Sequence, residues 1–137
     1  MPHTILFFVS RKQGISMEEF KTQYENDLLP LLKEVAGPHF PLEHTRRYIK
    51  RTEGQGKEAT PRNPDTPAQV LVGAQADFDY DAIIELKFAS EAAFGQFFQF
   101  VHTPEKAARV TAVEDRFMDR SQMRGVVLGD VVATKNE

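Results

Sequence analysis

The chain has 137 residues, 41% of them apolar and 27% charged, with a net charge of −3 and no Cys. That is ordinary globular composition, enough for one domain with a modest core, and it argues against disorder. The charge balance leaves no electrostatic footprint for nucleic acid, and the absence of Cys excludes disulfides, thiolate nucleophiles and Cys-based zinc sites.

Thr4 to Ser10 is apolar on both alternating faces, with Ile5, Phe7 and Val9 on one and Leu6 and Phe8 on the other. This predicts a strand buried on both sides. It is a short apolar run followed by a charged turn, so neither a signal peptide nor a membrane span is expected, and a soluble cytoplasmic protein is the default. After the turn Arg11 to Gly14, Ser16 and Glu19 form the S-x-x-E capping box, with Ile15 and Phe20 as its hydrophobic staple. The helix that starts there carries Phe20, Tyr24, Leu28, Leu31, Leu32 and Val35 on one stripe and ends at Gly37-Pro38. Pro30 lies inside it, lacks an amide donor and collides with the carbonyl four residues back, which predicts a kink near Asn26. Asp27 sits beside the stripe, either facing a pocket or as a partly exposed residue at its edge.

A Pro-punctuated connection, Gly37 to Glu43, leads to a predicted strand His44 to Thr52. His44, Arg46, Tyr48 and Lys50 share one face, and neither face is apolar, as in an edge strand or one that borders a polar cavity. Its four basic residues in six positions suit either a solvated face or the binding of a carboxylate or phenolate. Residues 53–69, rich in Pro and Gly, read as an irregular surface loop, and Val70 to Val72 as a short extended piece. Ala82 to Phe88 is the third main strand. Ser90 caps a helix with Phe94, Phe97, Phe98 and Val101 at i, i+3, i+4, i+7 spacing. Thr103-Pro104 opens a further helical segment to about Asp115. Met123 to Thr134 is an apolar strand in which Gly129 marks a bulge or a close backbone approach.

The order strand, helix, strand, strand, helix, strand is that of a ferredoxin-like βαββαβ unit, an α+β fold with helices on one face of an antiparallel sheet. Apolar character on both faces of residues 4–10 and 123–132 implies that the other sheet face is covered, most simply by a second copy in a homodimer.

The four His, at 3, 39, 44 and 102, are scattered, and there is neither metal-binding spacing nor a Gly-rich phosphate loop, so no cofactor or metal is expected. The residues suited to chemistry surround an apolar cleft between the kinked helix, the Phe-rich helix and the sheet, the usual form of a small-molecule site. The acid/base candidates are His44, His102, Asp27 and Glu85. Imidazole titrates near neutrality, while a carboxylate must be desolvated to do so. Tyr24 and Tyr48 are hydroxyl donors for an oxyanion, Arg46 adds a cation, and Phe94, Phe97 and Phe98 form an aromatic wall. Each has a plainer reading: His102 complements its helix C-terminus, and Glu85 pairs with an Arg.

The run RKQGISMEEFKTQYENDLLPLL, the stretch from FDYDAIIELKF to AAFGQFF, and the segment EDRFMDRS resemble the EthD-like family, including fungal members from secondary metabolism. The resemblance covers most of the chain and implies a dimeric α/β barrel. It also implies a small aromatic or polyketide substrate and cofactor-free cyclisation, dehydration or decarboxylation. An anthrone-type monooxygenase and a non-catalytic, dimeric ligand-binding or stress-response protein are the alternatives. One position departs from the family: where many relatives carry His shortly before the helix Pro, this chain has Asp27.

Overall fold

The structure, a computed structural model, describes residues 1–52 and 60–136. Four strands, β1 (His3–Val9), β2 (Glu43–Tyr48), β3 (Ala82–Phe88) and β4 (Arg124–Val127), form one antiparallel sheet in the order β2-β3-β1-β4. The apolar strands β1 and β3 are central, and the charged β2 lies at an edge, where its unpaired side meets no further strand among the described residues. Register places Ile5 opposite Leu86, Phe7 opposite Ile84, and Arg46 beside Ile84 on the other flank. These residues face the helices, whereas Leu6, Phe8, Ile83 and Glu85 belong to the opposite side. A Cβ at Gly125 would come within 2.6 Å of the Phe7 ring, so any larger residue would have to push that ring aside for β4 to close over it.

The first helical layer comprises α1 (Met17–Gln23), a π-helical turn (Tyr24–Leu28) and α2 (Leu29–Ala36). Ser16 caps α1, its Oγ accepting from the Glu19 amide at 3.0 Å. Pro30 has the expected consequence in a specific form. The helix widens into a π turn, in which the Leu29 amide donates to the Tyr24 carbonyl five residues back. Asn26, where the kink is expected, lies in this turn. Phe20, Tyr24 and Leu28 face the core throughout, and Gly37, at φ 51°, ends the layer. The second layer is α3 (Glu91–Val101), capped by Ser90, followed by α4 (Pro104–Glu114). Phe20, Leu28, Val35, Phe88 and Phe117 are fully buried between helices and sheet.

Several boundaries differ from the sequence reading. The last strand stops at Val127 rather than Thr134, because its only partner, β1, runs out: Leu128 donates to Thr4 at 2.9 Å, and few residues of β1 remain beyond. Val131 and Val132 are therefore exposed, and Gly129 approaches nothing closely. β2 ends at Tyr48, opposite Ala82, where its partner β3 begins, and beyond it Arg51 turns inward to a buried carboxylate. Val70 to Val72 is not a strand, and its side of the chain leaves Leu71 and Val72 exposed. Of the loop expected over residues 53–69, residues 53–59 lie outside the described residues.

Candidate active-site cleft

Between the sheet and both helical layers lies a cleft of about 470 Å³. Phe7, Ile84 and Leu86 form its floor, Tyr24 and Leu28 one wall, and Phe94, Phe97 and Phe98 another. Phe94 and Phe97 lean on Phe88, with ring centroids 5.3 and 5.2 Å away, while Phe98 is half-exposed at the rim. The aromatic helix thus lines the space without filling it. Its polar lining is sparse: Tyr24, His44, His102, Thr111, Glu114 and Arg120.

His44 enters from β2, its Nε2 3.3 Å from the Tyr24 hydroxyl and its ring stacked on Phe40. Burial, reinforced by the nearby Arg46 charge, lowers its pKa to about 4, so the imidazole is neutral at pH 7. Its Nδ1 is buried without a partner among the described residues. A bare nitrogen there costs less than an unpaired N–H, which favours the tautomer that donates from Nε2 to Tyr24 and leaves the phenolic hydrogen free. Burial raises the Tyr24 pKa far above its ordinary value, so this residue stays a protonated donor.

Next to this pair, Arg46 holds both carboxylate oxygens of Glu25 at 2.9 and 2.7 Å, and Tyr48 donates to Glu25 at 2.6 Å. Chiefly through the Arg46 hydrogen bonds, Glu25 is held down to about 2. Burial and its bond to Glu25 raise Tyr48. Neither Arg46 nor Tyr48 lines the cleft, so the donor and cation expected for an oxyanion instead form a closed cluster behind it.

Glu114, at the end of α4, lines the cleft, and burial pushes it up to about 7 against the opposing effect of Arg120. His102 caps the C-terminus of α3, exposed at the cleft mouth with Nδ1 2.8 Å from the Phe98 carbonyl. Two expected candidates lie elsewhere. Asp27 is exposed and outside the cleft, and Glu85 sits on the helix-free side of the sheet, paired with Arg47 at 3.2 Å. A carboxylate beside an apolar stripe and one within a strand have no fixed side until the packing is known. Glu114 was legible in principle, because Ala107, Val110, Thr111 and Glu114 have i, i+3, i+4, i+7 spacing, and a carboxylate on such a stripe is unusual. Glu25 carried no comparable signal.

A second polar cluster is structural. Asp81 is fully buried and accepts from the Arg51 Nε at 2.6 Å and from the Arg11 amide at 2.7 Å, with the Arg11 guanidinium at 3.2 Å. Arg11 also donates to Asn63 and Thr66, and Arg51 to the carbonyls of Thr66, Phe78 and Tyr80, fastening that part of the chain to the end of β1.

Among the described residues no helix is long and apolar enough to cross a membrane. The fold is shared with solved structures at low sequence identity. An EthD family protein from Bacillus halodurans is 12% identical, with 94% of this chain and 99% of that one covered and a TM-score of 0.52. An EthD-like protein from Ralstonia eutropha is 12% identical over 98% and 95%, with a TM-score of 0.52. A variant of SnoaB, a cofactor-independent oxygenase from Streptomyces nogalater, is 10% identical over 98% of both chains, with a TM-score of 0.51. No curated protein matches the sequence significantly. The sequence profile of the EthD domain matches residues 12–121, a span containing the Tyr24–His44 pair, the Phe-rich helix and Glu114, and the chain therefore belongs to the EthD domain family.

Proposed function

We propose that the cleft binds a planar aromatic ketone or phenol of the polyketide type and transforms it without a cofactor, by moving a proton on the bound ligand. The observation that carries this reading is an apolar cavity of about 470 Å³ with the Tyr24–His44 hydrogen-bonded pair in its wall. Apolar walls with a few convergent polar groups suit a flat, weakly polar ligand. Neutral His44 orients the Tyr24 hydroxyl toward a ligand oxygen, and His102 stands where the ligand enters.

Cyclisation and dehydration both begin by forming an enolate. So does a second reading, a cofactor-free oxygenase, for which the fold likeness to SnoaB speaks. Calorimetric titration with 1,8-dihydroxyanthrone, anaerobically, tests the cleft. Saturable micromolar binding is expected, weakened at least about tenfold in Thr111→Trp, whose indole enters the cleft from α4. Binding that ignores this substitution would place the ligand elsewhere. Oxygen uptake on admitting air separates the oxygenase from the other reactions.

The helix-free sheet face, with Leu6, Phe8 and Ile83 at its centre and half-exposed Val126 at its edge, is assigned to a second copy of the chain. A homodimer built face to face on these sheets removes that apolar surface from water.

A further inference from the structure

Glu114 is the one carboxylate lining the cleft among the described residues. Its side chain is 17% exposed, and its one polar partner among the described residues is an ion pair with Arg120. Arg120 faces it with Nε at 3.4 Å, beyond good hydrogen-bond length, and is shared with neighbouring Asp115 at 3.6 Å. The other titratable groups around it are Tyr24 from the π turn and, across the cleft, His44 and His102. The contrast with Glu25 is informative, because a carboxylate with a purely structural task has three short bonds in this molecule. Glu114 is held at the cavity wall by one long ion pair, with most of its acceptor capacity unused.

We propose that Glu114 is the proton carrier of the cleft, acting on a carbon acid beside an aryl ketone whose carbonyl oxygen is held by Tyr24. This rests on the reading of the cleft as a ligand site and assigns its chemistry. The C–H bond breaks, the proton passes to a Glu114 oxygen, and the electron pair moves to the carbonyl oxygen, giving an enolate that accepts from the Tyr24 hydroxyl. When the Glu114 carboxyl swaps that proton with solvent before returning one to the same carbon, the result is exchange. Delivering it to a departing β-hydroxyl releases water and leaves a double bond. Burial that places Glu114 near 7 populates both of its forms around neutrality, as proton transfer in both directions requires. The substrate class follows from charge as well. Arg120 is the only Lys or Arg lining the cleft among the described residues, and it is already engaged, so an uncharged ketone fits better than a carboxylate.

The test uses the full chain and 1,8-dihydroxyanthrone, kept anaerobic in D₂O, with NMR following loss of the C10 methylene hydrogens and calorimetry following binding separately. The wild type should speed exchange above buffer, with a rate that rises through about pH 7. Glu114→Gln should bind the probe within about threefold of wild type but exchange about 10²-fold more slowly, without that pH dependence. Glu114→Asp, with its carboxylate withdrawn, should keep the pH dependence at a reduced rate. Exchange by Glu114→Gln at the wild-type rate, or wild-type binding without exchange, would overturn the assignment. Failure of the wild type to bind the probe would instead remove the ligand-site reading, and this assignment with it.

Discussion

Arg46 grips both oxygens of Glu25, at 2.9 and 2.7 Å, and this pair decides which residues are left to meet a ligand. It closes a cation that the sequence offers for substrate binding, and Tyr48 is closed with it. Glu25→Ala leaves a half-buried guanidinium and a phenol without their acceptor. It should lower stability by about 1–3 kcal/mol in urea denaturation. The double variant Glu25→Ala with Arg46→Met should recover part of the loss, because removing both charges also removes the unpaired one. An unchanged midpoint in the single variant would mean that the pair is a screened surface contact.

Three groups set opposing pH dependences. Glu25 has a folded pKa of about 2 against an ordinary 4.5, so its stabilisation is complete above about 4.5 and is lost as the pH falls toward 2. His44, lowered from 6.5 to about 4, is favoured in its neutral form, so stability is also lost as pH falls between those values. Glu114 runs the other way: raised from 4.5 to about 7, it favours the protonated fold, and stability is lost as pH rises through that window. Glu114→Gln should therefore gain on the wild type by roughly 1–3 kcal/mol more at pH 8 than at pH 4. Denaturation at the two pH values checks the sign, and an equal difference at both would show that Glu114 is not desolvated.

Among the described residues, Asp81 is the single carboxylate between the Arg11 and Arg51 guanidiniums. Asp81→Ala removes the carboxylate that both buried cations share, and a loss of about 3–5 kcal/mol is expected. Thermal unfolding measures it. A loss below about 1 kcal/mol would mean that water already screens the cluster.

If the helix-free face joins two copies, Leu6→Glu should separate them, because it sets a charge on the central strand of that face. Light scattering at micromolar concentration should give twice the 15.6 kDa chain mass for the wild type and the single mass for the variant. A folded wild-type monomer under those conditions would refute the dimer.

The sequence by itself determined the elements and their order. Alternation in residues 4–10 and 82–88, the Ser16 and Ser90 caps, the Phe spacing of α3 and the misfit of Pro30 are all settled by neighbours within a few residues along the chain. The apolar lining of the cleft followed from the same periodicities. The polar chemistry did not, because each charged group takes its role from a partner distant in sequence: Glu25 from Arg46, 21 residues away, and Asp81 from Arg11, 70 away. Only tertiary packing sent Glu85 to the helix-free side, left Asp27 in solvent and turned Glu114 inward. The length of β4 was decided in the same way, since an apolar segment becomes a strand only as far as its neighbour offers a hydrogen-bonding edge, and β1 ends before Val131 and Val132 can be paired.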